Sequence, residues 1–315
     1  MMPRSHTLAD VETATTVLVI GGGTMGAGIA ATAAMAGLNV HLVERDQATA
    51  ESARAQVEKM VERGTRDSAA STPGTLHTAA SMSDDVDPDL VIESVSENVE
   101  LKRRVLAEAG DRYPRALLTT NTSSLSVDLL AEHVRDPGRF LGLHFFNPVP
   151  RSSLIEIVRS ARTLPDWVGV AEAWSSRFGK QSIVVSDSPG FATSRLGIAI
   201  GLEAMRMVAE GVASSDDIDT GMMLGYKFPI GPLELSDMVG LDVRLAIARH
   251  LHSELGERFE PPQILIDKVE AGHLGVKSGQ GFYAWEGRKR LLPADDSQAQ
   301  PTDRVSPGSE QSELR

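Results

Sequence analysis

The chain reads TVLVIGGGTMG over residues 16–26, so that a short apolar run leads into glycines spaced as G-x-G-x-x-G. The apolar run predicts a strand and the residues after it predict a helix, and this strand–turn–helix unit binds the pyrophosphate of a dinucleotide. In such a turn Gly21 allows the tight bend, Gly23 lets the backbone approach the phosphates, and Gly26 lets the helix pack closely on the strand. We therefore predict that the dinucleotide contacts Gly21, Gly23, Thr24, Met25 and Gly26.

The residues that follow the turn indicate which dinucleotide is bound. A predicted helix over residues 27–36 stops at Gly37, a second strand follows over 39–43, and Glu44 comes 18 residues after Gly26. An acidic side chain at the end of this strand accepts a hydrogen bond from the ribose 2′-hydroxyl and repels a 2′-phosphate. The sequence therefore predicts NAD rather than NADP.

Composition narrows the class of protein. The 315 residues are enough for about two domains, and the formal net charge of −12 argues against nucleic acid as a partner. There is no cysteine, no apolar run of the ~20 residues that a membrane span needs, and no secretory signal in the polar first residues. We expect a cytoplasmic protein without a membrane partner. The acidic residues over 84–89 lack the glycine and the glutamate of a calcium loop, so no metal is predicted.

The pattern along the chain predicts two domains. Apolar runs at 17–20, 39–43, 90–93, 116–120, 140–145, 154–158 and 181–185 alternate with helical segments. Such alternation predicts a Rossmann-type, doubly wound, mostly parallel sheet over residues 15–187. After the DSPG tetrapeptide at 187–190 the strand signals stop, which predicts an all-helical C-terminal domain over 188–286. Residues 1–14 and 287–315 are predicted to be disordered, and residues 66–73 to be mobile.

Polar residues at the ends of the later strands are the candidates for chemistry. The chain reads NTSSL at 121–125, HFFNPVP at 144–150 and LIEIV at 154–158. Asn121 is predicted to contact the cofactor, because the ligand of such a sheet binds at the carboxyl ends of its strands. A charged Glu156 among apolar neighbours is costly to bury unless it is paired. His144 is the expected partner; a lone histidine would more often be a core residue, but a buried carboxylate beside it makes it a competent general base.

These segments resemble the L-3-hydroxyacyl-CoA dehydrogenases, including the short-chain 3-hydroxybutyryl-CoA type. Three further motifs, DSPGF at 187–191, GPLEL at 231–235 and KSGQGFY at 277–283, are similar to those of the family and occur in its order, so the resemblance covers residues 17–285. It implies NAD-dependent oxidation of a short-chain 3-hydroxyacyl-CoA, and the reverse reaction, by a homodimer. It also implies that His144 is the catalytic base and Glu156 its acidic partner. Ser123 and Asn147 would be the polar residues around the substrate oxygen and the nicotinamide, and Glu97, Lys102 and Lys277 would contact the nicotinamide end of the cofactor.

Two departures from the family keep alternatives open. Ser194 stands where the family usually has an asparagine that helps to hold the substrate. Residues 50–83, a lysine-rich segment in the family, contain a single lysine here, Lys59, with Arg63 and Arg66 after it. The substrate could therefore be a hydroxyacyl group tethered to an acyl carrier protein in secondary metabolism.

Two further alternatives are weighed against this interpretation. One is a non-catalytic NAD-binding protein, which has no need of the His144, Glu156, Ser123 and Asn147 set. The other is a β-hydroxyacid dehydrogenase, which needs a catalytic lysine in the first helix of its second domain. Residues 191–210 contain no lysine, which argues against that class.

Overall fold

The computed structural model describes residues 8–66 and 72–291. These residues divide into two compact units. The first extends to Ala199 and includes Ile247–Glu260; the second comprises Ile200–Ala246 and the residues from Pro261 onward. The candidate site described below lies entirely in the first unit.

An eight-stranded sheet forms the centre of the first unit, in the order β3-β2-β1-β4-β5-β6-β7-β8. Its strands are β1 Thr16–Ile20, β2 Asn39–Val43, β3 Leu76–Ala79, β4 Leu90–Glu93, β5 Leu117–Thr120, β6 Phe140–Phe145, β7 Leu154–Arg159 and β8 Gln181–Ser186. All neighbouring pairs are parallel except β6 with β7, which is antiparallel. The order from β3 to β6 is that of a dinucleotide-binding fold, so the predicted Rossmann-type sheet is confirmed.

Helices surround the sheet and make up most of the second unit. They are α1 Leu8–Thr13, α2 Thr24–Met35, α3 Gln47–Arg66, α4 Val99–Arg112, α5 Val127–Ala131, α6 Pro165–Arg177, α7 Thr193–Ala209, α8 Ser215–Gly225, α9 Pro232–Val239, α10 Leu241–Leu255 and α11 Gln263–Glu270. A short hairpin, β9 Ala284–Glu286 with β10 Lys289–Leu291, follows the helices. Among the described helices, none is long and apolar enough to cross a membrane.

The two faces of the sheet are both buried, as expected for parallel strands covered by helices. In β1, Val17 and Val19 belong to one core cluster, and Leu18 and Ile20 belong to the other. Each strand therefore contributes alternate side chains to opposite layers, while its carboxyl end is left at the edge of the sheet, where the candidate site lies.

The structure corrects three expectations at element boundaries. Residues 8–13 of the predicted disordered N-terminus form α1, because the side chain of Val11 is buried and Arg177 donates to its carbonyl oxygen. Residues 287–291 of the predicted tail complete the hairpin, where Arg290 forms an ion pair with Glu234 at 3.3 Å. Strand β3 was not predicted, because an edge strand with half-exposed side chains has little apolar signal. The other residues predicted to be disordered or mobile, 1–7, 67–71 and 292–315, lie outside the described ones.

Candidate active site

Two positions in the turn after β1, Gly21 and Gly26, can be occupied only by glycine. Gly21 has φ +98°, and a Cβ built on it would lie 2.6 Å from the carbonyl oxygen of Ser94. A Cβ on Gly26 would lie 1.7 Å from the carbonyl oxygen of Gly21. The first glycine therefore permits the bend, and the third lets α2 pack against the turn.

The start of α2 is suited to an anion. The residue that precedes the helix, Gly23, has no side chain to satisfy the free N–H groups of the first turn, and a Cβ on it would meet nothing within 4 Å. Thr24 and Met25, the first residues of α2, line the same cavity as Gly23. Open space at the positive end of a helix fits the pyrophosphate of a dinucleotide.

A cavity of about 1030 Å³ runs along the carboxyl ends of the parallel strands. Eleven of the residues predicted from the sequence line it: Gly21, Gly23, Thr24, Met25, Glu44, Glu97, Asn121, Ser123, His144, Asn147 and Ser194. Residues far apart in the chain are brought together because their strands are neighbours in the sheet. One cavity thus contains the glycine turn and the polar groups proposed for chemistry.

His144 and Glu156 are paired, as the sequence predicted. They lie opposite one another in the antiparallel register of β6 and β7, and His144 Nδ1 is 2.9 Å from Glu156 Oε2. Glu156 is completely buried, whereas His144 is 7% exposed and lines the cavity. Because an ionised carboxylate only accepts hydrogen bonds, we assign the Nδ1 proton to the neutral imidazole, which leaves Nε2 as its basic atom.

The remaining bonds of Glu156 come from the start of α7, namely from Thr193, its first residue, and from Ala192 before it. Its Oε1 accepts from the backbone N–H groups of Ala192 (2.9 Å) and Thr193 (3.1 Å), and its Oε2 accepts from the Thr193 hydroxyl (2.8 Å). Burial alone would raise the pKa of Glu156, but the bonds from His144, Ala192 and Thr193 outweigh it and hold that pKa below its ordinary value. The carboxyl group is therefore ionised at neutral pH.

The turn before these donors has an uncommon backbone. Gly190 and Phe191 both have positive φ, at 72° and 51°. Phe191 is buried, and its ring centroid lies 5.6 Å from that of His144. The ring of Phe146, the residue directly after β6, has its centroid 4.5 Å from that of His144. A non-glycine residue with positive φ is uncommon and is held here by its packing. The DSPGF motif thus covers the imidazole through Phe191, and the two residues after it, Ala192 and Thr193, orient Glu156.

Glu97 organises the loop that contains Ser123. Its Oε1 accepts from the hydroxyl of Thr122 (2.5 Å) and from the backbone N–H of Ser123 (3.0 Å). Burial acts to raise the pKa of Glu97, but the charge of Lys102 and these hydrogen bonds lower it overall. Glu97 is therefore an anion that fixes the NTSSL loop at the edge of the cavity.

Lys102 lies buried between two carboxylates, and its predicted contact with the cofactor stays a prediction. Its side chain is 0% exposed, and its ammonium lies 2.8 Å from Glu93 Oε1 and 3.3 Å from Glu97 Oε2. The same ammonium also donates to the carbonyl oxygen of Val95 at 3.3 Å. Lys102 supports Glu97 from behind. Its other partner, Glu93, was missed by the sequence analysis and is, like Glu156, a completely buried carboxylate among apolar strand residues.

The other predicted residues have varied surroundings. Asn121 donates to Ser94 Oγ (3.2 Å) and accepts from the N–H of Phe145 (3.0 Å), so that it ties the ends of three strands together. Glu44 accepts from the N–H of Gly22 at 2.5 Å.

Lys277 lies in the second unit, in an ion pair with Asp242, and its contact with the cofactor stays a prediction.

Comparisons with known proteins agree with this geometry. Residues 16–188 match the family model described as "3-hydroxyacyl-CoA dehydrogenase, NAD binding domain", and residues 190–285 match that of the C-terminal domain. The chain belongs to the 3-hydroxyacyl-CoA dehydrogenase family. The predicted NAD-binding fold and helical second domain of this family are confirmed.

Individual members of the family are similar over most of their length. A 3-hydroxybutyryl-CoA dehydrogenase of Mycobacterium tuberculosis is 40% identical over 281 residues, covering 85% of this chain and 97% of the relative. A probable 3-hydroxybutyryl-CoA dehydrogenase of Deinococcus radiodurans is 37% identical and covers 85% and 99%. The crystal structure of an (S)-3-hydroxybutyryl-CoA dehydrogenase from Ralstonia eutropha superimposes with a TM-score of 0.80 at 36% identity, covering 87% and 99%.

Proposed function

We propose that this protein is an NAD-dependent dehydrogenase that interconverts a short-chain 3-hydroxyacyl-CoA and its 3-oxoacyl form. The observation that carries the proposal is the His144–Glu156 pair, which opens into the same cavity as the glycine turn. The family and the names of its similar members support the CoA thioester as substrate. None of these names points to a carrier protein, so we prefer CoA to the tethered substrate.

The residues around the cavity have distinct roles in this proposal. His144 Nε2 accepts the proton of the substrate hydroxyl, and Glu156 stabilises the imidazolium that forms. Ser123 and Asn147 line the same cavity as His144. In this proposal they donate hydrogen bonds to the same oxygen and hold the developing carbonyl in place. NAD, when bound, supplies the acceptor for the hydride that leaves C3. In the reverse direction His144 returns its proton to the 3-oxo group.

Cofactor choice rests on Glu44. Its carboxylate lines the cavity at the end of β2, and its Oε1 is held by the turn N–H of Gly22. A ribose 2′-hydroxyl can donate to this carboxylate, whereas a 2′-phosphate meets like charge. We therefore propose that Glu44 selects NAD over NADP.

We further propose a cytoplasmic homodimer. Large apolar side chains are exposed on the second unit, among them Leu224 (67%) and Tyr226 (75%), and such side chains mark an interface when they form one contiguous patch. The absence of cysteine fits a reducing compartment. Light scattering after gel filtration tests the dimer, and a mass near the monomer value of 33.7 kDa would refute it.

The function is tested by following NADH oxidation with acetoacetyl-CoA. The wild-type protein is expected to turn over, and His144→Ala is expected to lose about 10²–10⁴-fold in kcat while it still binds NADH. Quenching or enhancement of NADH fluorescence measures the binding separately. Turnover by His144→Ala at more than half the wild-type rate would remove His144 from the mechanism, and no turnover by the wild type would refute the function.

A further inference from the structure

The carboxylate of Glu156 accepts more hydrogen bonds than are needed to hold a histidine. Its Oε2 is shared by His144 Nδ1 at 2.9 Å and Thr193 Oγ1 at 2.8 Å. Its Oε1 already accepts two backbone N–H groups. Among the described residues, the Thr193 hydroxyl is thus the only side-chain donor that competes with the imidazole for the same oxygen.

Thr193 contacts Glu156 and is not among the residues that line the cavity, whereas its neighbour Ser194 is. The Thr193 hydroxyl donates to Oε2 of Glu156, and its backbone N–H binds Oε1, the other oxygen of the same group. Two bonds from one residue fix the rotation of the Glu156 carboxylate about its terminal bond.

We propose that Thr193 is a positioning residue whose hydroxyl sets the strength of the Glu156–His144 hydrogen bond and hence the basicity of His144. A donor on Oε2 disperses part of the negative charge that would otherwise face the imidazolium. Without the hydroxyl, the charge on Oε2 attracts the imidazolium more strongly, so His144 becomes a stronger base. This inference rests on the proposed function in one respect, namely that His144 is the base of the reaction.

Other charged groups around the pair are unchanged by a substitution at Thr193. On β8 the residue opposite Glu156 is the apolar Ile183, and on β6 it is His144 itself. The charged side chains that line the cavity with His144 are Glu44, Arg45, Glu97, Arg104 and Glu108, and Arg195 lies on the same turn as Thr193. None of these side chains has a hydrogen bond to the Thr193 hydroxyl, so the effect is confined to Glu156.

The test compares Thr193→Val, which keeps the shape but removes the hydroxyl, with Thr193→Ser, which keeps the hydroxyl. The pKa of His144 is measured by NMR in the ligand-free protein with labelled histidine, its signal being assigned by its loss in His144→Gln. We expect Thr193→Val to raise this pKa by about half a unit and Thr193→Ser to restore it. The rise of kcat/KM with pH in 3-hydroxybutyryl-CoA oxidation is expected to shift to higher pH by the same amount.

Several results would overturn the proposal. One is a His144 pKa in Thr193→Val that equals the wild-type pKa or lies below it. Another is a rise of this pKa in Thr193→Ser that is as large as the rise in Thr193→Val. Equal loss of kcat at every pH in both variants would show a structural role only. If Thr193→Val fails to fold, as judged by circular dichroism, Thr193→Ala replaces it in the same comparison. The NMR titration needs no turnover, so an inactive wild type would refute the function and leave this test intact.

Discussion

His144 and Glu156 face one another across β6 and β7 because these two strands are the antiparallel pair of the sheet. Direct opposition in an antiparallel pair brings two side chains on one face within contact distance. The imidazole reaches the cavity while the carboxylate stays completely buried. Little water reaches the space between the two side chains. The attraction between the carboxylate and a protonated imidazole is therefore stronger than it would be in water.

Glu156→Gln is expected to lower kcat by about tenfold to a hundredfold, because the amide cannot stabilise the imidazolium. Without that stabilisation the pKa of His144 falls, so the rise of kcat/KM with pH should move to lower pH. Steady-state rates between pH 5.5 and 9 measure both effects. A profile that superimposes on the wild-type one would contradict the pairing.

Acid stability provides a second test of Glu156. Its pKa is held below the ordinary value of 4.5, so its ionised form contributes stability that is complete above that value and is lost as pH falls through the lowered pKa. Urea unfolding of the wild type should therefore show a falling free energy below about pH 4.5. In Glu156→Gln the free energy of unfolding should fall less between neutral and acid pH. Part of the fall that persists in this variant is due to Glu97, whose pKa is also lowered. An identical pH dependence in the variant would show that Glu156 does not contribute.

Glu44→Gln is expected to narrow the preference for NADH over NADPH by about tenfold, equivalent to roughly 1.4 kcal/mol. The amide still accepts from the Gly22 N–H, so the turn is preserved and only the charge is removed. The ratio of kcat/KM for the two cofactors is the measurement, with Glu51→Gln on the exposed face of α3 as the control. Comparable kcat/KM values for NADH and NADPH in the wild type would refute the role of Glu44.

Lys102→Met is expected to destabilise the fold by about 3–5 kcal/mol, because it leaves Glu93 buried without a cation. The Tm of thermal unfolding should fall by roughly 10 °C. Lys59→Met, which removes an exposed lysine from α3, serves as the matched control and should change little. If Lys102 contacted the cofactor instead, its loss would weaken NADH binding at unchanged stability.

Truncation of the substrate tests how CoA is held. Lys59 and Arg63 are exposed on α3, whereas Arg54 on the same helix is paired with Glu58 at 2.8 Å. With so few free cations, replacing acetoacetyl-CoA by acetoacetyl-pantetheine should lower kcat/KM by tenfold at most. Each hydrogen bond or ion pair to a phosphate would contribute about 1–3 kcal/mol of binding free energy. A loss of kcat/KM beyond a hundredfold on truncation would therefore show that the protein binds the phosphates of CoA.

Much of the fold could be predicted because its signals are local. The glycine turn, the strands and the polar residues at their ends are contiguous in the sequence, and the His144–Glu156 pair follows from the cost of burying a charge. The same argument, applied to Glu93 at the end of an apolar strand, would have found Lys102 as its partner. Lys102 lies between Glu93 and Glu97, and its contact with the cofactor stays a prediction.

What could not be predicted depends on contacts between distant segments. Thr193 is 37 residues from Glu156, and nothing in its neighbourhood indicates that its hydroxyl turns towards a carboxylate. Helix α1 is stabilised by burial of Val11 and by Arg177, more than 160 residues away. Neither contact leaves a periodic pattern in the chain.

The antiparallel pairing of β6 and β7 also has a consequence for recombination between relatives. Because these strands need no crossover helix, the histidine and its carboxylate are separated by only 12 residues and are inherited as one block. The donors on the other side of the carboxylate come from a separate block, at Ala192 and Thr193. A chimera joined between residues 160 and 187 would therefore combine the base of one parent with the tuning residues of the other.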